Sequence, residues 1–418
     1  MCPSPHPALR PQAAGGGEVA ASAIVALKTA RTAIALVIVV AVATAATARG
    51  PVPPLSSPAL SELSWLADSV VETKPAPERL PWSWGEAVML LGLAEAAATT
   101  GNRAHLAPAL RFLDAHVDSS GDPGLSVLFP DRIAPALVAW SAWRQTGVAR
   151  YRLLCDRFAD WLMVSAPRAA DGAWYHLPIL DWHYVDTLFM TSVFLAGFGK
   201  DAGRPELGAE AVRQHNLLAD KLYSASDRLY WHGWDDNGLF TYWATPSRHH
   251  NGAFWGRGNG WAASALAYVL TAAEPGVPGY ERARARLAAH LTALAEHQDA
   301  GTGLWWTVLD EPGGALNYTE TSASALIAAA WLHAARHQLV DAPAGEVLRV
   351  ALRGIRARIV ADASGRAHVT GISGPTNPAD YDGYVAIPAV ADLPWGVGAA
   401  LLVLVEAAAT ESAALAAR

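Results

Sequence analysis

From about residue 60 onward, apolar residues recur every three or four positions in runs of helical length, and polar, glycine- and proline-rich stretches separate the runs. Val88, Leu91 and Ala94 fall on one such stripe, with Glu95 at its edge. The pattern predicts helices over 61–72, 84–99, 107–117, 133–146, 149–165, 187–197, 205–222, 260–273, 280–297, 319–337, 344–360 and 396–410. The turns "TGN" and "TGV" close two of them, with Gly101 and Gly147 placed as C-terminal caps. Strand-like runs are short and few, "GLWWTVLD" and "RAHVTGI" among them. A dozen helices without the rhythm of a parallel sheet leave a solenoid, a bundle or a closed toroid of helical hairpins. No fixed-period repeat supports a solenoid. The tryptophan-, histidine- and aspartate-rich material falls between helices, as it would at one end of a toroid. The expected fold is therefore all-α, an (α/α)6 barrel.

The beginning of the chain has another character. Residues 28–50, "KTARTAIALVIVVAVATAATARG", place Lys28 and Arg31 before an apolar core and a small-x-small site at Ala46–Ala48, the order of a signal peptide. An uncleaved anchor through residues 32–48 is the alternative, but the run is short for a spanning helix. Residues 1–58 thus read as leader, signal-like segment and proline-rich linker. Residues 59–418 read as one catalytic domain, exported.

Composition narrows the chemistry. Hydrophobic residues make up 52% of the 418 and charged residues 17%, so the chain can bury a large core. The 38 acidic and 31 basic residues give a net charge of −7, which argues against nucleic acid as the partner. Two cysteines, Cys2 and Cys155, exclude a disulfide framework and a cysteine-based zinc site. His176, His183, His232, His249 and His250 lack metal-site spacing, so no metal is expected. "GRGNG" is followed by no GK[ST] and preceded by no strand, so it is not a phosphate loop.

Five connections stand out: "LFPDRIAP", "WYHLPILDWHYVDTLFM", "YWHGWDDNG", "HHNGAFWGRGNGW" and "LNYTETSASAL". Six of the 17 tryptophans lie in three of them, beside Asp, His, Tyr and Arg, which is the composition of a sugar site. The glycines of residues 252–260 read as room for a ligand against the backbone. Asp186 has two readings. As an N-cap it would accept from the amides of Leu188 or Phe189 and stay ionised. As a catalytic acid its pKa would be raised by burial among aromatic rings. Local sequence favours the cap.

"WYHLPILDWHYVDTLFMTSVFLAGFG", "YWHGWDDNG", "FWGRGNGWAASALAYVL", "TETSASALIAAAWLHA" and "PWGVGAALLVLVE" occur in the order seen in the unsaturated rhamnogalacturonyl hydrolases, glycoside hydrolase family 105. The chain also resembles the related unsaturated glucuronyl hydrolases of family 88. The resemblance runs from about Trp84 to Glu406. It implies an (α/α)6 barrel that removes a 4,5-unsaturated uronic acid from lyase-generated oligosaccharides, with no cofactor, nucleic acid or stable protein partner.

The chemistry implied is hydration of the enol ether, and Asp186 matches the family's acid that becomes the base. Asp131 matches a second aspartate, whose charge would keep Asp186 protonated. His232 matches an active-site histidine. Arg257 is expected to grip the uronate carboxylate through two parallel bonds, flanked by Trp255 and Trp261 as stacking walls. His176, Tyr184 and Trp234 complete the expected pocket. Two positions depart from the family pattern: Leu177 replaces a common lysine, and Tyr184 a common tryptophan. A sugar epimerase or polysaccharide lyase on the same toroid, and a non-catalytic glycan-binding toroid, are the competing readings.

Overall fold

In the computed structural model, residues 57–416 are described, apart from 75, 128, 239–242, 246 and 341–344. The leader, the signal-like segment and the anchor alternative lie outside the described residues.

Twelve principal helices alternate between an inner and an outer layer among the described residues. The inner ones are α2 (Trp84–Thr100), α4 (Pro135–Thr146), α6 (Phe194–Ala202), α8 (Gly256–Ala272), α10 (Thr321–Arg336) and α13 (Pro394–Ala416). The outer ones are α1 (Pro58–Thr73), α3 (Ala107–His116), α5 (Ala149–Asp160), α7 (Pro205–Leu222), α9 (Tyr280–Glu296) and α11 (Gly345–Arg356). Each inner helix touches the next, and α13 returns to α2, so the inner layer is a closed ring. This is the (α/α)6 barrel that the sequence pattern predicts.

The sequence explains which helix lies where. In α10, 14 of 16 residues are buried, because Ala, Leu, Ile and small hydroxyl residues occupy every face. In α11 the buried residues are Ala351, Gly354 and Ile355, one stripe, and charged residues face out. By length and composition α13 could cross a membrane, but it packs between α2 and α10 as the sixth inner helix. Gly101 and Gly147 adopt the left-handed conformation (φ 73° and 70°) at the ends of α2 and α4, as expected. Proline opens α1, α4, α7 and α13, where its missing N–H costs nothing.

Three element boundaries differ from the sequence-based expectation. α8 begins at Gly256, so Arg257 and its glycines form the helix's first turn. A π-helical turn, Leu188–Val193, precedes α6, and another, Trp161–Ser165, follows α5. The glycines near Arg257 serve packing: a methyl group at Gly256 would lie 2.3 Å from the Trp306 carbonyl oxygen, and one at Gly260 2.9 Å from Leu326.

The ring closes where α2 meets α13. A methyl group at Gly398 would lie 2.4 Å from the Val88 carbonyl oxygen, and one at Gly92 2.8 Å from Leu401 Cβ. Backbone cannot yield as a side-chain tip can, so Gly398→Ala forces the two helices apart, at about 1–3 kcal/mol. A control is Gly276→Ala, where nothing lies within 4 Å. Thermal unfolding should show a lower midpoint for the first variant and not the second; equal midpoints would contradict this account of the seam.

Candidate active site

The N-terminal ends of the inner helices open onto one mouth of the barrel, and the predicted site residues gather there. A two-stranded ribbon does the local placing. β1 (Trp182–Tyr184) pairs antiparallel with β4 (Gly233–Asp235), Tyr184 opposite Gly233. The Val185 amide then donates to the His232 carbonyl at 2.9 Å. This register sets Asp186, just before the π-helical turn, beside His232, just before β4. Asp186 Oδ2 lies 3.1 Å from His232 Nε2. The contact is an ion-pair approach without good hydrogen-bond alignment, since neither atom has a hydrogen-bonded partner.

Asp131 comes from the short 3-10 turn Pro130–Arg132 ahead of α4. Its Oδ1 lies 3.7 Å from His176 Nε2. His176 is held from its other side by Thr187 Oγ1, 3.0 Å from Nδ1, and by the Tyr184 ring, stacked at 4.5 Å. Tyr184 also meets His232 edge-on at 5.4 Å. The structure thus brings Asp131, His176, Tyr184, Asp186 and His232 into one group.

The charge states invert the expectation for the two carboxyls. Burial and then the negative charge of Asp186 push the Asp131 carboxyl up to about 7, against Arg132. Burial would raise Asp186 too, but His232, His176 and Arg257 together overcome it, and its carboxyl lies below the ordinary value. Burial lowers His176 to about 4 and also lowers His232, so both rings are neutral near pH 7. Below about pH 7 these shifts favour the proton on Asp131 over Asp186. Nor is Asp186 an N-cap: the π-helical turn has no side-chain cap, and the Leu188 amide donates to the Val185 carbonyl.

Three other expectations are corrected. Arg257 is 1% exposed, and its Nη1 donates to Ser373 O while Nη2 donates to both Gly374 O and Thr376 Oγ1. With both Nη2 hydrogens engaged, no two-bond fork is left for a carboxylate, although Nε has no partner. Trp255 stacks on His232 at 4.1 Å and lies under the Arg257 guanidinium at 4.6 Å, so it backs the histidine instead of facing a sugar. Trp261 is fully buried against Phe189 and Trp84, a core ring instead of a wall. Trp234 stacks on His249 and donates to Asp236 Oδ1. Its neighbours His249 and His250 acquire roles that sequence did not assign: they form a third edge on β4 and carry the Trp234 and Trp231 rings.

Sequence reasoning passed over three supports. Glu320 caps α10 through the amides of Ser322 and Ala323 and accepts from the Ser373 amide at 2.9 Å, close enough to help hold Arg257 charged. Its signal was the "TETS" before an apolar run. Asn251 and Tyr384 carried no local signal, because their partners lie far along the chain.

Another opening sits at the opposite mouth, a 410 Å³ cavity that includes Tyr268, Thr271, His333, Arg336 and Glu406 in its walls. Its buried polar groups are paired with one another: His333 bridges Thr271 Oγ1 and Glu406 Oε1 at 2.9 Å each. By contrast, Asp186 Oδ2, His232 Nε2 and Arg257 Nε are buried without a hydrogen-bonded partner. Unpartnered buried polar atoms mark the surface meant for a ligand, so the N-terminal mouth is the candidate site.

The chain is similar to several known proteins. The model of a family described as Glycosyl Hydrolase Family 88 matches residues 64–410. The chain is 31% identical over 257 residues to the unsaturated rhamnogalacturonyl hydrolase YesR of Bacillus subtilis, covering 60% of this chain and 70% of that protein. A solved structure described as a possible member of glycoside hydrolase family 105 from Klebsiella pneumoniae superposes with a TM-score of 0.72 at 27% identity, over 87% of this chain and 96% of that one. A family 105 glycoside hydrolase from C. acetobutylicum gives 0.77 at 22% identity, over 82% and 98%.

The carboxyl pair can be tested directly. Asp186→Asn removes the charge that raises Asp131, so Asp131 should titrate at lower pH. Infrared spectra should show a protonated-carboxyl band just below neutral pH that weakens in this variant and vanishes in Asp131→Asn. A band indifferent to Asp131→Asn would refute the assignment.

Proposed function

The chain belongs to glycosyl hydrolase family 88, and we propose that it removes the 4,5-unsaturated uronic acid from the non-reducing end of lyase-generated oligosaccharides by hydrating the enol ether. The observation that carries the reading is the grouping of two carboxyls and two histidines at one mouth, Asp131 3.7 Å from His176 Nε2 and Asp186 3.1 Å from His232 Nε2.

Chemically, the reaction needs one proton delivered to C4 and one removed from water. In the free site Asp186 is ionised. A bound uronate brings a further negative charge and displaces water, and both effects raise the proton affinity of Asp186. Asp186 then takes up a proton, with Asp131 as the nearby reservoir, and passes it to C4. Water adds at C5, giving one of its protons to the Asp186 carboxylate and keeping the other on the new C5 hydroxyl, so one group serves as acid and then base. The C5 hemiketal opens, and the remaining oligosaccharide is released. Two carboxyls in this role do not follow the spacing rule of ordinary glycosidases, because the anomeric carbon is not attacked.

The likeness to YesR supports rhamnogalacturonan fragments as the substrate, with an unsaturated galacturonyl residue linked to rhamnose. Leu177 and Tyr184 stand where the family pattern has lysine and tryptophan, and these departures leave ulvan, arabinogalactan and glycosaminoglycan fragments as the alternative substrates.

The test follows the ultraviolet absorbance of the C4=C5 bond during incubation with unsaturated disaccharides of pectic, ulvan and glycosaminoglycan origin. Wild type should consume the pectic fragment. Asp186→Asn should lose about 10²–10⁴-fold in kcat. A reaction that needs the shared proton should slow as pH rises above about 7, the range in which Asp131 gives it up. Absorbance that persists with all three substrates defeats the reading. An Asp186→Asn variant as fast as wild type defeats the residue assignment.

Export is a second part of the proposal, supported by the basic flank, apolar core and small-x-small site of residues 28–48. Expression in a bacterial host should yield a processed protein beginning just after Ala48. Full-length protein retained with the cells would oppose it.

A further inference from the structure

We propose that the cavity at the opposite mouth of the barrel binds a neutral sugar, as a second site separate from the reacting residues. This site is independent of the function read at the first mouth.

All six inner helices contribute to the cavity walls, so it lies on the barrel axis, and its 410 Å³ is the size of a small-ligand site. The reacting residues lie at the other end. There Asn251 Oδ1 accepts from the His232 and Gly233 amides at 2.9 and 3.1 Å. The short helix α12 (Tyr381–Val385) brings the Tyr384 hydroxyl to 3.1 Å from His232 Nδ1 at that same end. None of these residues lines the cavity.

Deep in the cavity the walls are apolar, with Leu91, Phe189, Val193 and Leu402 buried there. Trp140 forms an aromatic side wall. Its Cη2 lies 2.1 Å from where a Cβ at residue 197 would stand, so only Gly197 lets the ring seat against α6. Its Nε1 donates to Asp201 Oδ2 at 2.7 Å, which holds the ring in place. The buried polar groups Tyr268 and His333 both bond to Glu406, which suits a site that binds and does not react.

The rim keeps donors and acceptors in reserve. Lys200 Nζ donates to Thr271 O at 3.0 Å and meets no carboxylate among the described residues, so two of its hydrogens remain. Glu95 receives Ser141 and Arg144 on one oxygen, and Asp201 receives Trp140 on one, which leaves the second oxygen of each for a ligand. Formal charges cancel, with Glu95, Asp201 and Glu406 against Arg144, Lys200 and Arg336. Burial, with His333 and Arg336 beside it, pushes His337 down to about 4, so that ring adds no charge near neutral pH. The inner helices also turn their C-terminal ends, negative in part, toward this mouth, which disfavours an anion. Donors beside acceptors, an aromatic wall and an apolar floor match the hydroxyls and C–H faces of an uncharged pyranose. A 6-deoxy sugar presents a methyl group to the floor as well.

Calorimetric titration of the full chain with L-rhamnose, and with D-galacturonate as the charged comparison, tests the site. Wild type should bind rhamnose saturably and more tightly than galacturonate. Lys200→Met should weaken rhamnose binding about 10-fold, and Trp140→Ala about 3–10-fold. Asp186→Asn, altered at the other mouth, should bind it as wild type does. Thermal midpoints show which variants are folded; Lys200 is exposed, so Lys200→Met alone decides if Trp140→Ala unfolds. No saturable binding by wild type overturns the proposal, as does binding indifferent to the substitutions in folded protein. Tighter binding of galacturonate overturns the class of ligand, and binding lost in Asp186→Asn overturns the location. If rhamnose binds as stated while wild type leaves the unsaturated sugars intact, the second site stands and the reading of function fails.

Discussion

Everything in this molecule depends on a ring of six inner helices that must close, and it closes where α2 and α13 pass backbone against backbone. Gly92 and Gly398 allow that approach; the Val88 carbonyl leaves no room for a Cβ at residue 398. Once the ring is shut, the inner helices run with their N-termini toward one mouth. The loops that enter those helices are then forced into a single cluster. Asp131 enters with α4, Asp186 with α6, Arg257 with α8 and Glu320 with α10, though nearly two hundred residues separate the first from the last. No local preference could assemble these groups.

Within the cluster, desolvation does most of the chemical work. It raises Asp131, lowers both histidines and would raise Asp186 were it not for His232, His176 and Arg257 beside it. Two carboxyls of the same intrinsic acidity are thereby driven apart, Asp131 upward and Asp186 downward. That separation is how a site obtains acid and base from a single residue type. The cation among these neighbours is itself structural. Arg257 is bonded to the carbonyls of Ser373 and Gly374, so it holds the segment leading toward Tyr384 while its charge stabilises the Asp186 carboxylate.

Much of this was legible in the chain. The 3.6-residue stripes, the capping glycines and the lack of a sheet rhythm point to hairpins of helices, and inner helices announce themselves by being apolar on every face, as α10 is. The grouping of aspartate, histidine and tryptophan in five connections marks which loops matter. The motif "FWGRGNGW" is specific enough to be read as a family feature, but its physical meaning was misread. It looks like a glycine-rich loop holding a cation for a ligand; it is the first turn of α8, its glycines pressed against Trp306 and Leu326 and its arginine tied to backbone.

What the sequence by itself determined is the set of elements and the loops that carry the candidate polar groups, because both follow from periodicity and side-chain chemistry within a few residues; Asp186 was singled out only through the family resemblance. Only the tertiary structure decided the state of those groups. Whether Asp131 or Asp186 keeps the proton depends on burial and on charges contributed by distant segments, and a short window of sequence carries neither. Trp261 as core and Trp255 as backing for His232 were decided in the same way, by what packs against each ring. The Tyr384 hydroxyl that lies 3.1 Å from His232 Nδ1 comes from 152 positions further along the chain, and a separation of that length is closed only by the fold.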